Sequence, residues 1–330
     1  MNSEPDNNDR PRVWRALIGP VVSLSLLALI AFRLELNATG DALRQASVST
    51  WLVAMLLLAG AIFMNSLRWR LAAQSAGLDV TLGLATRVST CGTFFNLLLF
   101  GPAGGDIAKS ATYSRWYGFS LQQLLAASLV DRGFSVGGST LFLIVTLMAL
   151  VVFGRVEHIT LPDAFVSVDW LLPALLLLGL TVVGVVAWRR RGAFLRGLAR
   201  TFRDTLRVVL NSPSIMMRGC LNGFLQQLLT SCVFAACLIA VSSPDLPWLA
   251  MAWTFPLISA IAVLPFTFGG AGAREGLALL LLIPFGVQPE AIVAAGLLTL
   301  ATYLCWAAIG ATTVTLEWRR YRALKVTETP

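Results

Sequence analysis

Apolar residues along this chain come in long runs, without the helical alternation of a half-buried surface helix. A spanning helix needs about 20 mostly apolar residues. Seven runs reach that length: residues 13–32, 48–67, 121–153, 170–188, 219–241, 248–268 and 291–316. The third is too long for one straight span, and Asp131-Arg132 interrupts it. Two shorter runs, 88–100 and 276–285, each adjoin a glycine-rich, charged sequence. The pattern predicts an all-α polytopic membrane protein with about 7–9 membrane segments. It would be one membrane domain over 13–318, with polar tails at 1–12 and 319–330.

Basic residues orient these runs. Arg10, Arg12 and Arg15 precede the first, and Arg68, Arg70 and Arg87 follow the second. A dense group runs from Arg189 through Arg207, and Arg319, Arg320, Arg322 and Lys325 close the chain. The alternate loops carry Glu35, Asp41, Glu157, Asp163 and Asp245 and are poor in Lys and Arg. Both termini are therefore expected on the cytoplasmic side of an inner membrane. Within 189–210, Arg196, Arg200, Arg203 and Arg207 share one helical face, while Leu195, Leu198, Phe202, Leu206 and Val209 fall on another. That segment reads either as an interfacial helix or as an ordinary basic loop. It is also the place for a cytoplasmic partner, at 189–207.

Composition supports the bilayer. Of 330 residues, 57% are hydrophobic and 13% charged; a soluble domain carries about 25% charged residues. The net charge of +8 fits cytoplasmic loops facing anionic lipid better than nucleic acid, because no aromatic-interleaved basic platform accompanies it. Cys91, Cys220, Cys232, Cys237 and Cys305 all lie in apolar sequence without a CxxC pair, and His158 is the one histidine. Neither a disulfide framework nor a metal site is expected, and no cofactor.

Chemistry then rests on a few charges beside glycines. Residues 99–109 read LFGPAGGDIAK, and 264–275 read LPFTFGGAGARE. Each has an apolar run, a proline, a glycine pair, then an acid and a base. Corresponding Gly/Pro-interrupted segments in two halves point to a transporter-like site. They suggest an inverted repeat with two re-entrant or broken helices. In the second stretch, Gly269, Gly270 and Gly272 would open a helix whose free N–H groups suit an anion, with Arg274 adding a charge-assisted hydrogen bond and Glu275 beside it. The plain alternative is a solvated polar turn. In the first, Gly104 and Gly105 precede Asp106 and Lys109, which are spaced to pair on one helical face. Lys109-Ser110 looks like the end of a phosphate loop, but Ala103 and Ala108 stand where that motif needs glycine, which excludes a nucleotide site. Asp131 and Arg132 sit between apolar runs, where charge marks function, and are expected to be buried or half-buried beside a cavity. Asn65, Asn96, Asn222, Gln226 and Gln227 read as interhelical glue.

These motifs together resemble the membrane region of lysylphosphatidylglycerol synthases, a flippase-like family. Asn65-Ser66-Leu67-Arg68-Trp69 is similar to its RW at a helix end, 101–109 to its P-x-GG-acid-xx-base element, Val130-Asp131-Arg132 to its acid-Arg pair, and 264–275 to its LPxxxGGxGxRE element. Asp106, Lys109 and Asp131 depart from the family's Glu and Arg, which bears on headgroup selectivity. No room is expected after the last helix for the soluble synthase domain. The resemblance implies lipid translocation rather than synthesis: binding or moving an anionic phospholipid or isoprenoid-type lipid, with Arg68, Trp69 and Asn96 in secondary positions. Two other classes stay open: a membrane-embedded lipid-modifying enzyme using the same charges, and a non-catalytic scaffold. A small-solute carrier is a further alternative.

Overall fold

The protein is described here from a computed structural model covering residues 36–98, 101–153, 192–242, 248–260 and 272–327. The expected spans at 13–32 and 170–188, along with Gly269, Gly270 and His158, lie outside the described residues. The described elements are helical: α1 Leu36–Arg44, α2 Val48–Ser75, α3 Leu82–Leu98, α4 Gly101–Tyr117, α5 Leu121–Val152, α6 Gly192–Leu210, α7 Pro213–Val241, α8 Trp248–Met251, α9 Thr254–Ala260, α10 Ala273–Leu282, a 3-10 turn Ile283–Phe285, and α11 Pro289–Thr327. Among the described residues, α2, α5, α7 and α11 are long and apolar enough to cross a membrane. Their outer faces expose large apolar side chains, such as Leu56 on α2 and Val136, Ile144 and Met148 on α5. In water such a surface would aggregate; against acyl chains it costs nothing.

One end of the bundle gathers the basic loops. The Gln123 amide donates to the Ala76 carbonyl at 3.0 Å, joining the start of α5 to the end of α2. Arg87 on α3 pairs with Glu317 on α11 at 3.0 Å, Arg320 joins it at 3.0 Å, and the Tyr117 hydroxyl at the end of α4 donates to the same carboxylate. Glu317 is buried. It ties both legs of the α3–α4 hairpin to the longest helix at this basic end of the bundle.

The hairpin has two 17-residue legs. At 1.5 Å per residue each is about 25 Å long, short of the roughly 30 Å hydrocarbon thickness. That is the length expected of a re-entrant element. Its legs touch at backbone distance: a Cβ on Gly105 would lie 2.8 Å from the backbone nitrogen of Asn96. On the opposite half, α10 has only 10 residues and runs about 15 Å. Its first residues, Arg274 and Glu275, are buried.

Two expectations needed correction. Helix α5 is continuous through Asp131-Arg132 over 32 residues. Both charges find partners on neighbouring helices, so the backbone has no reason to break. The expected straight span 248–268 is instead broken within its described part, with α8 ending at Met251 and α9 starting at Thr254. Pro256 explains the break. It has no N–H to donate to the Ala252 carbonyl, and its ring would clash there, whereas Pro is tolerated in the first turn of a helix. The Thr254 hydroxyl accordingly donates to the Met251 carbonyl at 2.7 Å. The segment 189–210 forms helix α6 from Gly192 on, with Phe202 and Val209 packed into the apolar core at the basic end.

Helices α5 and α7 cross on glycine. A Cβ on Gly138 would strike the backbone of Gly223 and Phe224, and one on Gly223 would strike the Phe134 carbonyl. Gly219 and Gly223 form a small-xxx-small pair of the kind that lets membrane helices approach closely.

Candidate functional site

Between the two apolar cores lies a cavity of about 220 Å³, bounded by α2, α3, α4, α5, α7 and α11. Its wall is polarised. Along α2 it passes from Leu58, Ala61 and Ile62 to Asn65 and Arg68, and Asp106, Lys109, Asp131 and Arg132 join Arg68 at the charged end through ion pairs and chain adjacency. From Leu58 to Arg68 is about 15 Å along α2.

The charged end is held by crossed ion pairs. Asp131 does not pair with its neighbour Arg132. It takes Arg68 in a two-point contact, Nε to Oδ1 at 2.7 Å and Nη2 to Oδ2 at 3.1 Å. Arg132 turns to α4 and donates from Nε (2.9 Å) and Nη2 (2.6 Å) to Oδ2 of Asp106. Successive helical residues point about 100° apart, so two adjacent charges reach different neighbours. The other oxygen of Asp106 takes the Lys109 ammonium at 2.6 Å, which also stands 5.7 Å from the Trp69 ring centroid.

Arg68 and Arg132 therefore differ in what they have left to give. Arg68 has four of its five N–H donors engaged: besides Asp131, it donates to Asn65 Oδ1 at 2.9 Å and to Gln226 Oε1. Its side chain is 3% exposed, whereas that of Arg132 is 33% exposed. Arg132 is the accessible cation of the cavity. Three cations against two carboxylates leave a formal charge of +1. Unpaired charge in such surroundings is costly, which is why each carboxylate is enclosed by donors.

The glycine-rich stretches come to different places. Gly105 supplies the close hairpin contact that seats Asn96 against the start of α4, and Asn96 lines the cavity. Gly104 is half-buried on α4 and does not line it. Gly272 adopts φ 84°, open to glycine at little cost, and caps α10. Its N–H donates to Glu275 Oε2 at 2.5 Å, while Arg274 donates to Glu275 Oε1 at 2.6 Å and to the Gly296 carbonyl at 2.9 Å. Arg274 and Glu275 are thus a self-contained buried pair and are not in the cavity wall. Tyr303, which is in that wall, lies within electrostatic reach of Arg274. Gly296 precedes Tyr303 by about 10 Å along α11. The second charged pair is a layer above the cavity, not part of its floor. On α6, Arg203 and Arg207 point outward beside Asp204 at 3.7 and 3.9 Å, away from the cavity.

Sequence reasoning assigned no role to Ser89, Glu317 or the Gly219/Gly223 pair. The glycine spacing was a readable signal. Ser89 and Glu317 carried none, because only packing separates a buried serine or glutamate from an exposed one.

A family model described as "Lysylphosphatidylglycerol synthase TM region" matches residues 16–310. Among curated proteins, the chain is similar to a "UPF0104 membrane protein" of Methanothermobacter thermautotrophicus, with 22% identity over 295 residues, covering 83% of this chain and 86% of that protein.

Proposed function

The chain belongs to the lysylphosphatidylglycerol synthase TM-region family, and on that premise we propose that it binds a phosphate-bearing lipid and carries it between the leaflets of the cytoplasmic membrane. One observation carries this reading. A cavity charged at one end and apolar at the other has the polarity of an amphiphile, and Arg132 stands at its charged end with a third of its side chain accessible. A guanidinium is well matched to phosphate. At about 220 Å³ the space suits a headgroup and the first carbons of its chains, with the remaining acyl length in the bilayer. The basic end faces the cytoplasm in this reading, in keeping with the positive-inside rule. The protein acts without covalent chemistry on the lipid, moving it down a gradient or by equilibration.

The test is leaflet exchange of a fluorescent phospholipid in proteoliposomes containing the full chain. Arg132→Ala is expected to reduce protein-dependent exchange by at least tenfold while the protein keeps its fold. Undiminished exchange by a folded Arg132→Ala variant overturns the proposal.

A further inference from the structure

Both carboxylates in the cavity are already committed. Asp131 gives one oxygen to each of two nitrogens of Arg68, and Asp106 gives one oxygen to Lys109 and the other twice to Arg132. Their side chains are 7% and 12% exposed. A positively charged headgroup entering here would find no open acid. It would also meet a wall with a formal charge of +1.

Two of the unpartnered polar atoms on this wall can donate. Ser89 is 3% exposed, lines the cavity, and its hydroxyl has no partner among the described residues. Gln227 accepts from Ser139 through Oε1 at 3.2 Å, which leaves its Nε2 donor buried and unpartnered on the same wall. A buried polar group without a partner costs about 1–3 kcal/mol, so both atoms are places where a ligand acceptor is stabilising. Asn96 Oδ1, beside Gly105, is an unpartnered acceptor on a residue of the same wall. With Arg132, the Ser89 hydroxyl, which can donate or accept, and the Gln227 amide N–H offer donors to a ligand acceptor.

We propose that the cavity selects phosphate esters that are net negative and discriminates against those carrying an ammonium group. Arg132 receives the phosphate, and Ser89 and Gln227 donate to its remaining oxygens or to an adjoining carbonyl or hydroxyl. This rests on the reading of the cavity as a lipid headgroup site and names the headgroup's charge class.

The experiment compares two lipids that differ in that one group. Dioctanoyl phosphatidylethanolamine and its N-acetylated derivative are titrated onto the full chain in mild detergent, with glycerol 3-phosphate as a soluble competitor. The N-acetylated, anionic form is expected to bind at least tenfold more tightly. Arg132→Gln should lower its binding to that of the zwitterion, with Arg132→Lys restoring part of it. Gln227→Glu, which adds an open acid to the wall, should shrink the preference or reverse it. Equal or tighter binding of the zwitterion that still depends on Arg132 overturns this inference and leaves the lipid-site reading standing. Displacement by glycerol 3-phosphate as effective as by the lipid keeps the anion preference and overturns the assignment to a lipid. Absence of Arg132-dependent binding in either lipid overturns both.

Discussion

Replacing Asp131 with alanine should destabilise the protein by about 3 kcal/mol or more, although no ligand contact is removed. Asp131 accepts two short charge-assisted bonds from Arg68, each contributing roughly 1.5–3 kcal/mol. Its loss leaves a guanidinium only 3% exposed with neutral acceptors alone, Asn65 and Gln226. Breaking one side of a buried pair typically costs about 3–5 kcal/mol. The two remaining acceptors place the expected value near the lower limit, a shift of roughly a hundredfold in the unfolding equilibrium at about 1.4 kcal/mol per factor of ten. Removing both charges behaves differently. Arg68→Met with Asp131→Leu fills the space without desolvating an ion, and such replacements are often neutral. Reversible unfolding in mixed detergent micelles measures Asp131→Ala, the double variant and its two singles, Arg68→Met and Asp131→Leu. A cost below about 1 kcal/mol for Asp131→Ala, or a double variant weaker than the sum of the singles, would show that Arg68 is hydrated and that the burial argument fails.

Other substitutions probe other joints of the structure. Gly223→Leu should push α5 and α7 apart and lower the thermal midpoint in detergent, since overpacking costs about 1–3 kcal/mol and the Cβ space is already filled by the Phe134 carbonyl. Gly105→Val should open the α3–α4 hairpin and abolish lipid exchange, and cross-linking of cysteines placed on the two legs would report the separation. Glu317→Gln removes the shared partner of Arg87, Arg320 and Tyr117; proteolysis at the basic end should become faster with the lipid binding proposed for the cavity unchanged. Arg274→Ala should destabilise α10 by breaking a buried pair, read as a lowered thermal midpoint, while binding in the cavity falls less than with Arg132→Ala.

How far the residues could be read in advance depended on what decides each feature. Asp131 and Arg132 were conspicuous because ionised groups between apolar runs are expensive. Their partners were not, since Arg68 and Asp106 lie 63 and 26 residues away and only helix rotation decides which neighbour each meets. Lys109 with Asp106 was readable from local spacing. Arg274 lies in the glycine-rich stretch that parallels the one before Asp106, a likeness that points to a shared site. The fold instead seats it against Gly296, a contact set by how the short α10 docks on α11, which no local pattern encodes. The break at Pro256 was legible in principle but was hidden by an otherwise unbroken hydrophobic run.

In the transport reading proposed above, the unbroken course of α5 also sets how far a bound headgroup has to travel. The helix runs about 48 Å, yet the apolar stretch from residue 133 to its end at Val152 already accounts for close to 30 Å, the full hydrocarbon thickness. Standing upright, α5 therefore keeps Arg132 at the level of phosphates in the nearer leaflet. A lipid could be captured without its headgroup first giving up hydration, so docking and crossing become separate events with separate barriers. In the transport reading, the climb into the hydrocarbon begins above Arg132.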